Sequence, residues 1–289
     1  MPSSSPLETP DPRPALVVGC GYLGRRVADL WTAAGRRVVA LTRTRADSLR
    51  EAGIEPLLGD VTDPASLNNL PAASTVLYAV GLDRSSGKSM AEVYVQGLKN
   101  VLDNLPPCDR FIYISSTSVY GQTDGSVVDE SSPTEPLEDS GRIVLEAERV
   151  LRAKLPTAII LRFAGIYGPD RLLRKQALLK GEPLIGDAEK WLNLIEVRDG
   201  ARAILAAEQR APLGETLIIA DDTPVHRRDF YTLLAKLLNA PEARFDDAPP
   251  GVPVSRDTNR RLTNRKAKAV LGWEPEYGSY REGLRACGK

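Results

Sequence analysis

The chain has 289 residues, 42% of them hydrophobic, with Lys plus Arg and Asp plus Glu equal at 38 each. That length and apolar content suffice for one large globular core or two modest ones, and the zero net charge leaves no overall positive field to draw in nucleic acid or an anionic membrane surface. The three cysteines, Cys20, Cys108 and Cys287, have neither disulfide-framework nor metal-ligand spacing and suit packed thiols in a reducing, cytoplasmic setting, while the single histidine, His226, excludes a His-rich metal site and a Ser-His-Asp hydrolase triad. Residues 1–13, rich in Ser and Pro without an apolar core, read as a loose tail and not a signal peptide. No run is long enough to span a bilayer.

Residues 15–18 read as a buried strand and residues 23–34 as the following helix, with Val17-Val18-Gly19-Cys20-Gly21-Tyr22-Leu23-Gly24 joining them. Glycines in a strand-to-helix turn let backbone approach a phosphate, and the helix N-terminus supplies free N–H groups, so Gly19, Gly21, Tyr22, Leu23 and Gly24 are candidates to hold a dinucleotide pyrophosphate. The alternative is a turn shaped by glycine alone. Further strands are expected at 37–41, 75–80, 111–115 and 158–161, alternating with helical patterns. Such alternation implies an α/β, doubly wound parallel sheet with helices on both faces. Ligands bind beyond the carboxyl ends of its strands, which brings residues 19–24, 42–45, 79–81 (Ala79, Val80, Gly81) and 115–117 to one crevice.

After Gly165 the alternation weakens and prolines from Pro169 to Pro275 interrupt shorter elements, which fits a smaller second lobe. Residues 217–220 still read as a buried strand, so the lobes interleave. The expected division is a dinucleotide-binding domain over 14–165 with a returning segment at about 193–223, and a substrate lobe formed by 166–192 and 224–289.

An acidic residue about 20 positions beyond the glycine loop would bond the ribose 2′-OH of NAD, whereas an Arg nearby accommodates the 2′-phosphate of NADP. Here the second strand ends Thr42-Arg43-Thr44-Arg45 without a carboxylate before Asp47. Two guanidiniums and two hydroxyls suit a phosphate, so NADP is favoured over NAD; the competing reading is a pair of solvated strand-end charges. Asp60, followed by Val61, could bond the adenine amino group or cap the turn before Pro64.

The glycine loop together with Gly59-Asp60-Val61-Thr62-Asp63, Ser115-Ser116-Thr117-Ser118-Val119-Tyr120-Gly121, Ile166-Tyr167-Gly168-Pro169, Glu196-Val197-Arg198-Asp199 and Leu271-Gly272-Trp273-Glu274-Pro275 resembles the extended short-chain dehydrogenase/reductase family, which contains nucleotide-sugar epimerases and dehydratases. The resemblance covers nearly the whole chain. It implies a Rossmann-like sheet, a nicotinamide dinucleotide, a C-terminal lobe closing over a small-molecule, nucleotide-sugar-like substrate, and often a homodimer formed through a helix pair. In the family a Tyr acts as general acid or base and a Lys four residues later, on the same helix face, lowers its pKa from about 10 toward neutrality. The matching segment here is Asp139-Ser140-Gly141-Arg142-Ile143-Val144, with Ser140 at the Tyr position and Val144 at the Lys position. No Tyr in the chain has a Lys four residues later. Positioned acid/base catalysis contributes roughly 10² to 10⁴ in rate, so its loss costs on the order of 3 to 5 kcal/mol unless another group substitutes.

The chain is similar to an atypical bacterial branch that carries Ser-Gly-Arg at this place. Ser116 matches the family's third catalytic position, and Tyr120, Tyr167 and Glu196 are candidates to replace the missing acid or base, Tyr167 through Arg171 four residues on. Arg171, Arg174, Trp191 and Arg256 suit an anionic or nucleotide group. Two functions remain: an NADP-dependent oxidoreductase or epimerase, and a non-catalytic NADP(H)-binding sensor or regulator.

Overall fold

The computed structural model describes residues 13–247 and 258–287. Residues 1–12 of the expected tail, and Arg256, lie outside the described residues. Seven strands form one sheet: β1 (Ala15–Val18), β2 (Val38–Thr42), β3 (Glu55–Leu58), β4 (Thr75–Tyr78), β5 (Arg110–Ser116), β6 (Ile159–Phe163) and β7 (Thr216–Ile219). Their order is β7-β6-β5-β4-β1-β2-β3, and every neighbouring pair is parallel. The order reverses between β1 and β4, the switch point where doubly wound sheets bind ligands.

Helices cover both faces, and the strands read as unbroken apolar runs for that reason. In β1, Ala15 and Val17 enter the core under α1 (Tyr22–Ala33), while Leu16 and Val18 enter the opposite one. The first face also holds Ala201, Ile204 and Ala207 of the helix Val197–Arg210; the second holds Leu98 and Val101 of the helix Gly97–Asn104 and Ala147 and Leu151 of the helix Asp139–Lys154. The four β1 side chains are 0% exposed, so β1 is packed from both faces.

Beyond the sheet, a third core gathers Tyr167, Leu178, Leu184, Leu194, Phe230, Leu234, Tyr280 and Leu284. β7 pairs with β6 at the sheet's far edge, with Leu217 opposite Leu161. No helix among the described residues is long and apolar enough to cross a membrane.

Candidate functional site

The loop after β1 is built by glycines with three different duties. Gly19 has φ +96°, and an added Cβ there would lie 2.6 Å from the backbone of Ala79 and Val80, so the loop rests directly on the end of β4. Gly24 is as tight: its Cβ would lie 2.3 Å from the Gly19 carbonyl oxygen, which presses α1 onto the loop. At Gly21 a Cβ would meet nothing within 4 Å. Gly21 N–H donates to Gly19 O at 2.9 Å, and α1 starts there with no side-chain cap and no acidic residue in its first turn. Unsatisfied N–H groups at the positive end of the helix dipole face open space, the arrangement that accepts a pyrophosphate.

That space is a cavity of about 500 Å³ lined by residues 19–21, 41–45, 59–62 and 79–83 with Ser86 and Val93. It brings together Gly19, Gly21, Thr42, Arg43, Arg45, Asp60, Val61, Ala79, Val80 and Gly81. It leaves out four expected contributors. Leu23 and Gly24 are buried beneath the loop. Tyr22 holds its ring beside Arg26 and Arg171, at 4.1 and 5.4 Å, and donates its hydroxyl to Pro169 O at 2.7 Å, tying the loop to the segment after β6. Ser115 is buried, and its hydroxyl donates to Glu148 at 2.6 Å.

At the outer end of the cavity, Arg43 Nη2 donates to Asp83 Oδ2 at 2.8 Å, with both side chains largely exposed. The Ser85 hydroxyl and then Arg43 hold the Asp83 carboxyl down at about 2. Asp60 Oδ1 accepts from the Thr62 N–H and hydroxyl, each at 2.9 Å, so the carboxylate fixes its own turn while lining the cavity. Asp83 and Ser86 were not expected from sequence; the signal present was Asp83-Arg84-Ser85, an Asp capping a short turn.

The expected catalytic serines lie on β5 and on the helix Asp139–Lys154. Ser116 Oγ accepts from Ser118 N–H at 3.1 Å, capping the turn that follows the strand. Ser140 Oγ donates to Glu138 at 3.3 Å. Gly141 brings these two segments together, because a Cβ there would lie 2.3 Å from Ser118 O. Val144, one turn on, is buried against Val119 and Tyr120, so the position matching the family lysine packs in a core.

Tyr120 and Tyr167, two of the expected acid/base candidates, are held inside the fold. Both are 0% exposed. Tyr120 accepts a hydrogen bond from Arg162 Nη1 at 2.8 Å, and burial still pushes its phenol up. Tyr167 packs edge-on against Phe230, with its hydroxyl pressed on Gly283 and without a partner. Burial raises its phenol strongly, with Asp221 adding to the effect. Arg171 lies instead over the Tyr22 ring. Glu196, also 0% exposed, caps a helix by accepting from Arg198 N–H at 2.7 Å. Trp191 stacks on His226 at 3.8 Å and meets Arg261 at 5.4 Å, and Arg174, with φ +55°, precedes the short helix Lys175–Leu179.

Beneath the Ser116 turn lies a buried network that sequence reading did not find. Glu148 accepts from Arg162 Nε at 3.0 Å and Nη2 at 2.7 Å as well as from Ser115. Its members come from two strands and a helix, and nothing in their spacing announces it. Burial pushes each of the three cysteine thiols up to about 11, which keeps them protonated and unreactive at neutral pH. Among the described residues no three His, Cys, Asp or Glu side chains group as a metal site.

A sequence model of the NAD dependent epimerase/dehydratase family matches residues 15–220. Protein YeeZ of Escherichia coli K12 is 31% identical over 273 residues, covering 90% of this chain and 95% of YeeZ. Among solved structures, a functionally unknown conserved protein from Silicibacter pomeroyi superposes with a TM-score of 0.75 at 27% identity, covering 96% of this chain and 98% of that one. MoeE5, solved in complex with UDP-glucose and NAD, superposes with a TM-score of 0.76 at 26% identity, covering 95% and 97%. The chain therefore belongs to the NAD-dependent epimerase/dehydratase family of extended short-chain dehydrogenases/reductases.

Proposed function

We propose that this protein binds NADP(H) in the switch-point crevice and acts as an oxidoreductase or epimerase on a polar, nucleotide-sugar-like substrate. The observation that carries the coenzyme choice is the end of β2, where Thr42, Arg43, Thr44 and Arg45 line the cavity; the guanidinium fork pairs two phosphate oxygens at once. Fit to a dinucleotide rests on Gly21, whose open face admits the phosphates. When bound, the nicotinamide would supply hydride transfer. The chain's own residues hold the coenzyme and present the Ser116 and Ser140 hydroxyls on the two segments that Gly141 brings together. The bound UDP-glucose and NAD of MoeE5 support the substrate class and the coenzyme class, without favouring the phosphorylated form. We extend the reading to a homodimer through the groove of about 1080 Å³ between the helix Asp139–Lys154 and residues 91–96, tested by light scattering on the purified chain.

Titration of the protein with NADPH and NADH tests the coenzyme. Tighter NADPH binding is expected, and equal or tighter NADH binding overturns the preference. A second reading, a coenzyme-binding regulator without turnover, is favoured by Ser140 and Val144 at the acid/base positions and by the burial of Tyr120 and Tyr167. Tight NADPH binding with no NADPH consumption across a panel of nucleotide sugars, and no effect of Ser116→Ala, selects that reading.

A further inference from the structure

With Tyr120 and Tyr167 sealed inside the fold, a third phenol stands nearer the crevice. Tyr94 lies in the π-helical turn Glu92–Gln96, which runs into the helix Gly97–Asn104, and it is only half-buried. Its hydroxyl oxygen accepts a hydrogen bond from Leu82 N–H at 3.1 Å. Leu82 and Val93 both line the cavity, so this hydroxyl is one hydrogen bond from the cavity wall. Among the described residues nothing accepts its own proton. Tyr94 also packs against the cluster that holds Val119, Tyr120, Val144 and Ala164. Those residues adjoin both expected serines: Val119 and Tyr120 follow the Ser116 turn, and Val144 lies one turn beyond Ser140, at the position matching the family lysine.

The turn explains why this phenol points where it does. On a regular α-helix, residues 94, 98 and 101 would share one stripe, and Leu98 and Val101 are buried in the core beneath the sheet. A π-turn widens the ladder locally and offsets the residues before it from those after it. Val95 therefore packs against that core, and Tyr94 joins the other cluster. The helix that follows is seated on the cavity wall: Asn100 Nδ2 donates to Val61 O at 2.8 Å, and a Cβ on Gly97 would lie 2.7 Å from Val61 Cγ2.

We propose that Tyr94 is the acid/base group of the reaction, acting from this turn in place of the absent Tyr and Lys pair. The inference deepens the proposed function and rests on its reading of a nicotinamide coenzyme in the crevice. A substrate carbonyl that receives hydride at carbon from NADPH receives the Tyr94 proton at oxygen. The C=O π bond breaks, one C–H and one O–H bond form, and the phenolate left behind is held by Leu82 N–H until solvent returns a proton. In the oxidising direction the phenolate takes the alcohol proton as hydride leaves the same carbon for NADP+.

Tyrosinate has its own near-ultraviolet absorbance, so alkaline titration reads the hydroxyl without a substrate. The full chain and Tyr94→Phe are each titrated when saturated with NADP+ and when saturated with NADPH. The oxidised nicotinamide carries a positive charge that the reduced ring lacks, and a positive charge nearby favours a phenolate. One tyrosine of the wild type should therefore ionise at lower pH with NADP+ than with NADPH, and Tyr94→Phe should abolish that difference. The neighbouring phenols of Tyr78 and Tyr113 are raised by burial and are present in both proteins, so the comparison assigns the group. Across a panel of nucleotide sugars beginning with UDP-glucose and NADP+, kcat of Tyr94→Phe should fall by about 10²-fold or more with little change in KM. No ionisation difference in the wild type, a difference that persists in Tyr94→Phe, or full turnover by Tyr94→Phe overturns the proposal, and a lowered melting temperature with unchanged kcat makes Tyr94 a structural tie to Leu82. Failure of the wild type to bind either coenzyme defeats the coenzyme reading, and binding without turnover of any sugar defeats the reaction; each is seen directly in the wild type, and the role of Tyr94 falls with it.

Discussion

Replacing Gly21 and Gly24 by alanine, one at a time, separates two of the duties within the glycine loop. At Gly24 the new Cβ would lie 2.3 Å from Gly19 O, far inside van der Waals contact. Helix α1 must then move off the loop, at a cost of about 1–3 kcal/mol, or roughly 2–10 °C in melting temperature for a chain of this size. At Gly21 the Cβ meets nothing within 4 Å and φ is −91°, so the substitution is neutral to folding or stabilises it by up to about 1 kcal/mol. The methyl group instead occupies the face that phosphate must approach. Displacing the pyrophosphate from two charge-assisted hydrogen bonds costs about 3 kcal/mol or more, which is on the order of 100-fold in affinity. Thermal unfolding and NADPH fluorescence titration, run on both variants, measure the two effects independently. Wild-type NADPH affinity in Gly21→Ala, or an unchanged melting temperature in Gly24→Ala, refutes the division of labour.

Three further outcomes follow from named contacts. Asp83→Asn releases Arg43 from its ion pair and removes a negative charge from the outer end of the crevice, so NADPH should bind several-fold tighter while NADH is unaffected; Arg43→Gln should do the reverse, and titration of both variants with both coenzymes checks the pair. Glu148→Gln leaves the buried Arg162 charge uncompensated and should destabilise the chain by about 3–5 kcal/mol, whereas Glu148→Leu combined with Arg162→Met should recover much of that loss in urea unfolding. Asp221 has Oδ2 buried without a partner, and burial raises its carboxyl well above the usual range. The folded state therefore holds a proton that the unfolded state releases above about pH 4, and stability attributable to this group declines as pH rises from there toward the folded pKa. Asp221→Asn should raise the melting temperature near neutral pH, with the difference shrinking toward pH 4; an equal shift at both pH values contradicts the assignment.

How far the sequence reached depends on how local each feature is. The glycine loop spans a few consecutive residues, and β1 is buried on both faces, so both were legible as short runs with the right order. The cradle at residues 79–81 followed because a parallel sheet puts every strand's carboxyl end on one side. Strand ends shifted by one or two residues, as at β4, which stops at Tyr78, because pairing with β1 ends where Gly19 turns away. The burial of Tyr120 and Tyr167 was not legible, since the motif around each fixes only the backbone and the direction of the ring depends on Arg162 and Gly283.

The sequence by itself determined the sheet, the glycine loop and the absence of the family's Tyr and Lys, because those reside in the identity and spacing of neighbouring residues. Only the tertiary structure decided that Arg43 meets Asp83, that Ser115 is taken by Glu148, and that Arg260 donates to Thr117 O. Those contacts join residues 40, 33 and 143 positions apart, and the charge state and freedom of a side chain are set by what packing brings to it, which no local pattern encodes.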